Sequence, residues 1–221
     1  MRDKETVETN FMKQKVYKIL TKFALKLHNF SYKLASRLAI KVEGGLHPKH
    51  RLMNYHQFFV DNVNSEDKVL DIGCGNGALT FEIAKKAKKV VGIDLDEKNI
   101  KIARKKYWAP NIEYLVGDAT KDCPDQKFDV IILSNVLEHI ENRVEFLQKI
   151  KNLAPKFLIR VPMINRDWIT LYKKELGVEW RLDKTHYIEY TLENFKKELK
   201  KAGLDLEKYS IQFGEIWAVV R

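Results

Sequence analysis

The sequence predicts a doubly wound α/β fold in which helices cover both faces of one seven-stranded mixed sheet, with a helical extension at the N-terminus. From Lys68 onward, short apolar runs alternate with longer amphipathic ones, which is typical of βαβ units and a parallel sheet. The chain closes with a helix, a strand, a tight turn and a strand, and this order predicts an antiparallel last strand. A chain of 221 residues that is 45% hydrophobic suits one sizeable domain with an appendage.

Residues 1–61 are predicted to form the extension, and its main element is a basic amphipathic helix. Seven apolar residues recur three or four positions apart from Val16 to Leu38, and Lys and Arg side chains occupy a neighbouring arc. Residues 11–51 contain ten Lys or Arg and one acid, so they carry nearly all of the net charge of +10. The pair Gly44-Gly45 is expected to end this helix, and a short second helix is predicted at 52–60.

Residues 62–221 are predicted to form the core domain. The strand candidates are 69–72, 90–93, 112–116, 129–133, 157–161, 204–211 and 216–220. The helix candidates are 78–87, 97–107, 142–153 and 192–202, the last one capped by Thr191 and ended by Gly203. Residues 162–190 show no clear period, and we interpret them as an insertion that recognises the substrate.

A glycine-rich loop, Asp71-Ile72-Gly73-Cys74-Gly75-Asn76-Gly77, joins the first strand to the next helix. Glycines at alternate positions leave the main chain open to a ligand, and the helix N-terminus offers amide donors, which predicts a nucleotide-like cofactor. Asp94 ends the second strand, where a carboxylate can bind both hydroxyls of a ribose. The spacing does not exclude NAD, because Ala78 is tolerated at the last position of the dinucleotide fingerprint.

Four motifs occur in sequence order: residues 69–80, Gly92-Ile93-Asp94, Val116-Gly117-Asp118-Ala119 and Phe128-Asp129-Val130-Ile131. Together they resemble the motifs of class I S-adenosylmethionine-dependent methyltransferases, over about residues 66–220. The resemblance implies a Rossmann-like fold, S-adenosylmethionine as the cofactor and methyl transfer as the activity. It also implies a cofactor-binding set, which we complete with Cys74 and Asn135: Asp71, Gly73, Gly75 and Gly77 on the methionine part, Asp94 on the ribose, and Leu95, Asp118 and Ala119 on the adenine.

The segment Ser134-Asn135-Val136-Leu137-Glu138-His139-Ile140 follows the fourth strand, where ligands bind in open α/β sheets. A similar Leu-Glu-His run occurs in the small-molecule branch of the family, so His139 is predicted to be the general base. The alternative is that His139 only caps or packs the helix start. The segment lacks the two prolines of the branch that methylates nucleobase amines. No Cys and His cluster has zinc spacing, so no metal site is predicted.

Two segments are predicted to recognise the methyl acceptor. His47, His50 and Tyr55 precede the core, where related enzymes commonly form a lid, and their alternative is an exposed linker. Arg166, Trp168 and His186 lie in the insertion, and burial of structural aromatics explains the tryptophan equally well. The acceptor is expected to be a small molecule, a lipid headgroup or a glycan.

The basic helix leaves two interpretations open. Residues 11–41 make peripheral contact with an anionic membrane, or the apolar stripe packs on the core, on a second copy or on a partner. An RNA or protein acceptor docked by this helix is the alternative function, although no aromatic residues for base stacking lie among the lysines. An NAD-linked oxidoreductase is the next alternative. The chain is expected to be cytoplasmic, as a monomer or homodimer, because it shows neither an export signal nor a long apolar run.

Overall fold

The computed structural model describes residues 2–45 and 47–221, with side chains from residue 10 onward. The chain forms two compact units. The first contains the chain up to Leu52 together with Asp167–Lys184, and the second contains Met53–Arg166 and Thr185–Arg221. This division lies upstream of the boundary at residue 61 that we expected from the sequence.

A seven-stranded sheet forms the centre of the second unit. Its strands are β1 Lys68–Ile72, β2 Lys89–Asp94, β3 Ile112–Val116, β4 Val130–Ser134, β5 Lys156–Pro162, β6 Leu206–Gln212 and β7 Glu215–Val220. Their spatial order is β3-β2-β1-β4-β5-β7-β6. The first five strands are parallel, and β7 runs antiparallel between β5 and β6. The predicted mixed sheet with an antiparallel last strand is therefore confirmed.

Eight α-helices complete the described structure. They are α1 Arg2–Val42, α2 Lys49–Met53, α3 Tyr55–Asp61, α4 Ala78–Ala84, α5 Glu97–Lys106, α6 Arg143–Ile150, α7 Trp168–Glu175 and α8 Leu192–Ala202. The predicted caps of α8 are present: the Thr191 hydroxyl accepts from the Asn194 amide at 3.2 Å, and Gly203 adopts a left-handed conformation. Thr191 and Gly203 thus define where α8 begins and ends.

Both faces of the sheet are buried, as a doubly wound fold requires. Successive side chains of a strand point to opposite faces. Leu70, Ile131 and Phe157 belong to one apolar cluster, whereas their neighbours Val69 and Val130 belong to another on the opposite face. The parallel strands therefore have continuous apolar sequences instead of alternating ones.

Two elements differ from the sequence-based expectation. The helix predicted at 52–60 is split into α2 and α3 by Asn54, which has φ 46°, a left-handed conformation that interrupts the helical path. Helix α7 lies inside the segment for which we found no period. Asp167 caps it by accepting from the Thr170 amide at 2.6 Å. The left-handed conformation of Asn54 and the N-terminal cap at Asp167 therefore account for the two differences.

The first unit is organised around α1, which ends before Gly44 and Gly45 as predicted. One face of the helix contacts the α7 region of the same unit: Asn29 Nδ2 donates to the Glu179 carbonyl at 2.7 Å, and Leu25 is buried. Within the described residues, no helix is both long and apolar enough to cross a membrane.

Candidate active site

The glycine-rich loop leaves the carboxyl end of β1 with three residues in positive φ, at Gly73, Gly75 and Gly77. A Cβ on Gly77 would lie 2.6 Å from the Tyr114 hydroxyl, so this glycine is required by packing as well as by conformation. At Gly75 a Cβ would meet no atom within 4 Å, and only the φ of 56° disfavours a side chain. The space beside the Gly75 Cα is therefore open.

Asp94, at the end of β2, is fixed by three donors. Its Oδ2 accepts from the Gly75 amide at 2.9 Å, and its Oδ1 accepts from the Asp96 amide at 2.9 Å and from Asn99 Nδ2 at 3.3 Å. The carboxylate thus bridges the glycine loop and the start of α5. It also lines a cavity, so its oxygens can accept from hydroxyl groups of a ligand there.

Asp71 and Cys74 occupy a different position from Asp94. The Asp71 side chain is buried and accepts from the Thr80 hydroxyl at 2.6 Å. Burial raises the pKa of Asp71 to about 7, although the Thr80 hydrogen bond opposes the shift. The Cys74 thiol is also buried, and its pKa is raised by burial. Neither residue lines the cavity. Both side chains lie in the protein interior instead.

A cavity of about 830 Å³ lies beyond the carboxyl ends of β1 to β4. This is where ligands bind in open α/β sheets. It brings together seven of the residues singled out in the sequence: Gly73, Asp94, Leu95, Asp118, Ala119, Asn135 and His139. Gly75 and Gly77 do not line it.

Asp118 is positioned by the turn that follows β3. Its Oδ1 accepts from the Thr120 hydroxyl at 2.7 Å and from the Thr120 amide at 3.0 Å. The hydrogen bond from the Thr120 side chain holds the pKa of Asp118 below its usual value, with a smaller contribution from Lys121. Asp118 is therefore an ionised hydrogen-bond acceptor at neutral pH.

The turn after β4 contains three buried side-chain oxygen atoms that lack hydrogen-bond partners. Asn135 adopts φ 58°, and its Oδ1 is unpaired. Glu138 is fully buried, and neither of its carboxylate oxygens has a hydrogen bond. Burial raises the pKa of Glu138 to about 7. Unpaired buried polar groups are costly, and their concentration here favours a functional site.

His139 and His186 lie beside Glu138, with ring centroids 4.6 Å apart. His139 Nδ1 shares a hydrogen bond with the Thr185 hydroxyl at 2.9 Å, and His186 Nδ1 lies 3.1 Å from a Glu189 oxygen. One donor atom from each of Glu138, His139 and His186 lies within 4.8 Å of the others. This three-residue cluster can hold a divalent cation, although no motif spacing indicated a metal site.

The remaining predicted substrate residues are not brought to the cavity. Tyr55 is buried with its ring 3.8 Å from the Arg160 guanidinium, and Arg166 forms an ion pair with Glu189. His47 and Trp168 belong to the first unit, as does His50. His47 accepts a hydrogen bond from the Lys49 amide at 3.1 Å, and Trp168 is exposed. Their roles in substrate recognition stay predictions.

Several residues of the cavity wall were missed in the sequence. Thr185 and Tyr187 flank His186, and the Tyr187 amide donates to the Glu138 carbonyl at 2.8 Å. Glu141, Glu145 and Lys149 follow the Leu-Glu-His run. The signal for Thr185 and Tyr187 was their proximity to His186 in a segment already assigned to recognition. For the other three, nothing distinguished them from solvated helix residues.

A methyltransferase-domain family model matches residues 46–209. The mitochondrial ubiquinone biosynthesis O-methyltransferase of Arabidopsis thaliana is 31% identical over 153 residues, which cover 64% of this chain and 48% of that protein. The ubiquinone biosynthesis O-methyltransferase of Actinobacillus pleuropneumoniae is 32% identical over 147 residues, which cover 62% of this chain and 61% of that protein. The chain thus matches between about half and three fifths of the length of these relatives.

Two solved structures share the fold. Magnesium protoporphyrin IX methyltransferase from Synechocystis, with bound S-adenosylhomocysteine, has a TM-score of 0.60 and 20% identity, over 78% of this chain and 82% of that one. The DhpI complex with S-adenosylhomocysteine has a TM-score of 0.62 and 14% identity, over 89% of this chain and 96% of that one. At these identities the similarity concerns the fold.

Proposed function

Because this chain belongs to the class I S-adenosylmethionine-dependent methyltransferases, we propose that it methylates an oxygen atom of a small molecule, a lipid headgroup or a glycan. One observation carries the proposal: a single cavity is lined both by Asp94 and Asp118 and by His139 with Thr185. The names of the relatives support an oxygen acceptor over a nitrogen acceptor. We expect the enzyme to work in the cytoplasm.

The residues present fit the cofactor. Asp94 and Asp118 are acceptors in the cavity wall, suited to ribose hydroxyls and to the adenine amino group, and Leu95 and Ala119 supply apolar contacts. Gly73 and Asn135 also lie in the cavity wall, where the polar methionine part would bind. When bound, S-adenosylmethionine supplies a methyl group on a sulfonium. The chain itself then has to hold the acceptor oxygen in line with that methyl group and exclude water.

His139 would receive the proton of the acceptor hydroxyl. When its Nδ1–H donates to the Thr185 hydroxyl, Nε2 is the basic nitrogen of the ring. In that tautomer the Thr185 hydroxyl accepts from the ring and helps to fix the ring plane. A base in this position increases the nucleophilicity of the oxygen as the methyl group transfers.

The three-residue cluster supports a second way to activate the same oxygen. A divalent cation held by Glu138, His139 and His186 would lower the pKa of a coordinated hydroxyl, and Glu189 would orient His186 from the second coordination shell. The observation that favours it is the buried Glu138 carboxylate without a hydrogen bond. Both routes deliver an ionised oxygen to the methyl group.

The proposal is tested by cofactor binding in a thermal shift experiment. S-adenosylhomocysteine is expected to raise the melting temperature of the wild type, and NAD is expected to leave it unchanged. Asp94→Asn should abolish the shift, because it removes the charged acceptor for two hydroxyls. Asp125→Asn is the matched control, since Asp125 is exposed and outside the cavity, and it should respond like the wild type.

Stabilisation by NAD instead of S-adenosylhomocysteine would overturn the methyltransferase proposal. An unchanged shift in Asp94→Asn would overturn the binding role of Asp94. The acceptor class is then found by incubating the protein with methyl-labelled cofactor and separated lipid, glycan, RNA and small-molecule fractions of the source cell. Label in the RNA fraction alone would support the alternative of an RNA acceptor.

A further inference from the structure

Helix α1 displays a continuous apolar surface that nothing in its own unit covers. We call it the exposed apolar stripe, and its members are 45% to 68% exposed: Met12, Val16, Leu20, Phe23, Leu27, Phe30, Leu34 and Leu38. At 100° per residue they share an arc of about 80°, and at 1.5 Å per residue they extend along about 39 Å of helix. Apolar stripes on globular helices normally face a core.

The face that α1 uses inside its own unit is the opposite one. Leu25 is buried, Asn29 binds the Glu179 carbonyl, and Ser36 is hydrogen-bonded to His47 at 2.9 Å. These three residues lie about 140° to 180° from the centre of the stripe on a helical projection. The stripe therefore does not pack within its own unit.

The charged residues beside the stripe indicate which kind of surface it can bind. Residues 10–42 contain eight Lys or Arg and no Asp or Glu. Most of these cations lie on one flank of the stripe: Lys15, Lys18, Lys22, Lys26, Lys33 and Arg37. Apolar side chains beside a purely cationic flank complement a surface with an apolar interior and an anionic rim. A second copy of the helix would bring like charges together, which opposes dimerisation through the same face.

We propose that α1 lies in the interface of an anionic lipid bilayer, with the exposed apolar stripe among the acyl chains and the lysine flank at the headgroups. The helix lies parallel to the bilayer plane, since its cations occur along its whole length and exclude a spanning orientation. The partner that covers the exposed apolar stripe is the lipid surface itself, so the proposal does not depend on the identity of the methyl acceptor.

The test is co-sedimentation of the full chain with vesicles, without cofactor. Binding is expected to vesicles with about 30% phosphatidylglycerol in phosphatidylcholine and to be at least tenfold weaker without the anionic lipid. Phe23→Gln with Leu27→Gln and Phe30→Gln should lower the affinity at least tenfold, because glutamine keeps the helix but loses the apolar contacts. Ile211→Gln with Phe213→Gln removes equally exposed apolar groups from the second unit and should bind like the wild type.

Two further variants test the charge. Replacing Lys15, Lys18, Lys26 and Lys33 by Gln should lower the affinity at least tenfold, whereas replacing the exposed Lys105, Lys106, Lys200 and Lys201 by Gln should not. Circular dichroism confirms that each variant keeps its helix content. Equal binding to neutral and anionic vesicles, or retention of binding by the stripe variant, would overturn the proposal. A dimer in light scattering that the stripe variant converts to monomer, without vesicle binding, would assign the stripe to a second copy instead.

Discussion

The fold disfavours the ionised form of Glu138, a member of the three-residue cluster at the candidate site. Its carboxylate is fully buried and has no hydrogen bond, and burial raises its pKa from 4.5 to about 7. The folded state therefore binds a proton that the unfolded chain has already released at pH 5 to 7. Such a cost persists in a protein when the group has a function that requires it.

Replacing Glu138 by Gln gives a prediction with a defined pH window. A carboxyl whose pKa is raised on folding destabilises the folded state as the pH rises, so Glu138 should contribute a loss of about 3 kcal/mol to the unfolding free energy of the wild type between pH 4 and pH 8. Glu138→Gln does not titrate and should lose correspondingly less. Denaturant unfolding across this range measures the difference, and Glu141→Gln at an exposed position should show the full loss of the wild type.

The same variants separate the two roles of the cluster. If Glu138 is a cation ligand, Mn²⁺ or Zn²⁺ should raise the melting temperature of the wild type at pH 7.5 and leave Glu138→Gln unchanged. If His139 acts alone as a base, the metals should have no effect on either protein, and chelation should leave turnover intact. A metal shift retained by Glu138→Gln would place the ion elsewhere.

Individual site residues were predictable from the sequence where a motif gave their position relative to a strand end. Asp94, Asp118 and His139 follow strands, so the topology alone delivers them to one edge of the sheet. The contact between His139 and His186 was not predictable, because it joins residues 47 positions apart through a segment without periodicity. The burial of Asp71 was missed for a related reason: a loop residue gives no sequence sign of which side of the loop it faces.

At the scale of elements, a buried ion pair connects β5, the last of the parallel strands, to the antiparallel strand β7. Arg160 on β5 forms two bonds with Glu215 on β7, at 2.5 and 2.7 Å, and the guanidinium stacks on the Tyr55 ring of α3. The Trp217 indole also donates to Glu215 at 3.1 Å. Sequence reasoning missed this network, since the three elements are far apart in the chain.

Glu215→Gln should therefore destabilise the protein by about 3 to 5 kcal/mol, because it leaves the buried Arg160 charge uncompensated. Urea unfolding measures the loss. Replacing both partners, with Arg160→Met and Glu215→Leu, should cost less than the single change, since no isolated charge remains. Glu193→Gln, which breaks an exposed pair with Lys197, is the control and should have no measurable effect. A Glu215→Gln protein as stable as the wild type would mean that the pair contributes nothing.

Most elements were predictable because the spacing of apolar residues differs clearly between strands and helices. Strands β1, β4 and β5 are short, mainly apolar runs that start at or directly after a charged residue, and α8 has both caps in its sequence. Helix α7 was not predicted, since its buried residues, Thr170 and Lys173, are polar. Its apolar residues Trp168, Leu171 and Tyr172 are partly exposed instead, so the hydrophobic pattern does not indicate the buried face.

The whole molecule is asymmetric in charge. Residues 11–51 account for +9 of the net +10, so the remainder of the chain is nearly neutral. The cavity lies entirely in the second unit, and the basic helix lies in the first. The charged residues of the cavity wall are Asp94, Asp118, Glu141, Glu145 and Lys149, so a substrate that is held only in the cavity meets a wall with a net negative charge and not the cations of the basic helix.

This asymmetry predicts how turnover responds to salt. Methyl transfer to a water-soluble small-molecule acceptor should change little between about 50 and 200 mM salt, whereas an RNA acceptor bound through six or more lysines should lose about a thousandfold in affinity. Labelled methyl transfer to the small-molecule and RNA fractions, measured at both salt concentrations, distinguishes these cases. The variant with Gln at Lys15, Lys18, Lys26 and Lys33 supplies the internal control, because it should keep small-molecule turnover and weaken only what the helix binds. A steep salt dependence of small-molecule turnover that these four changes abolish would instead place the basic helix in acceptor recognition.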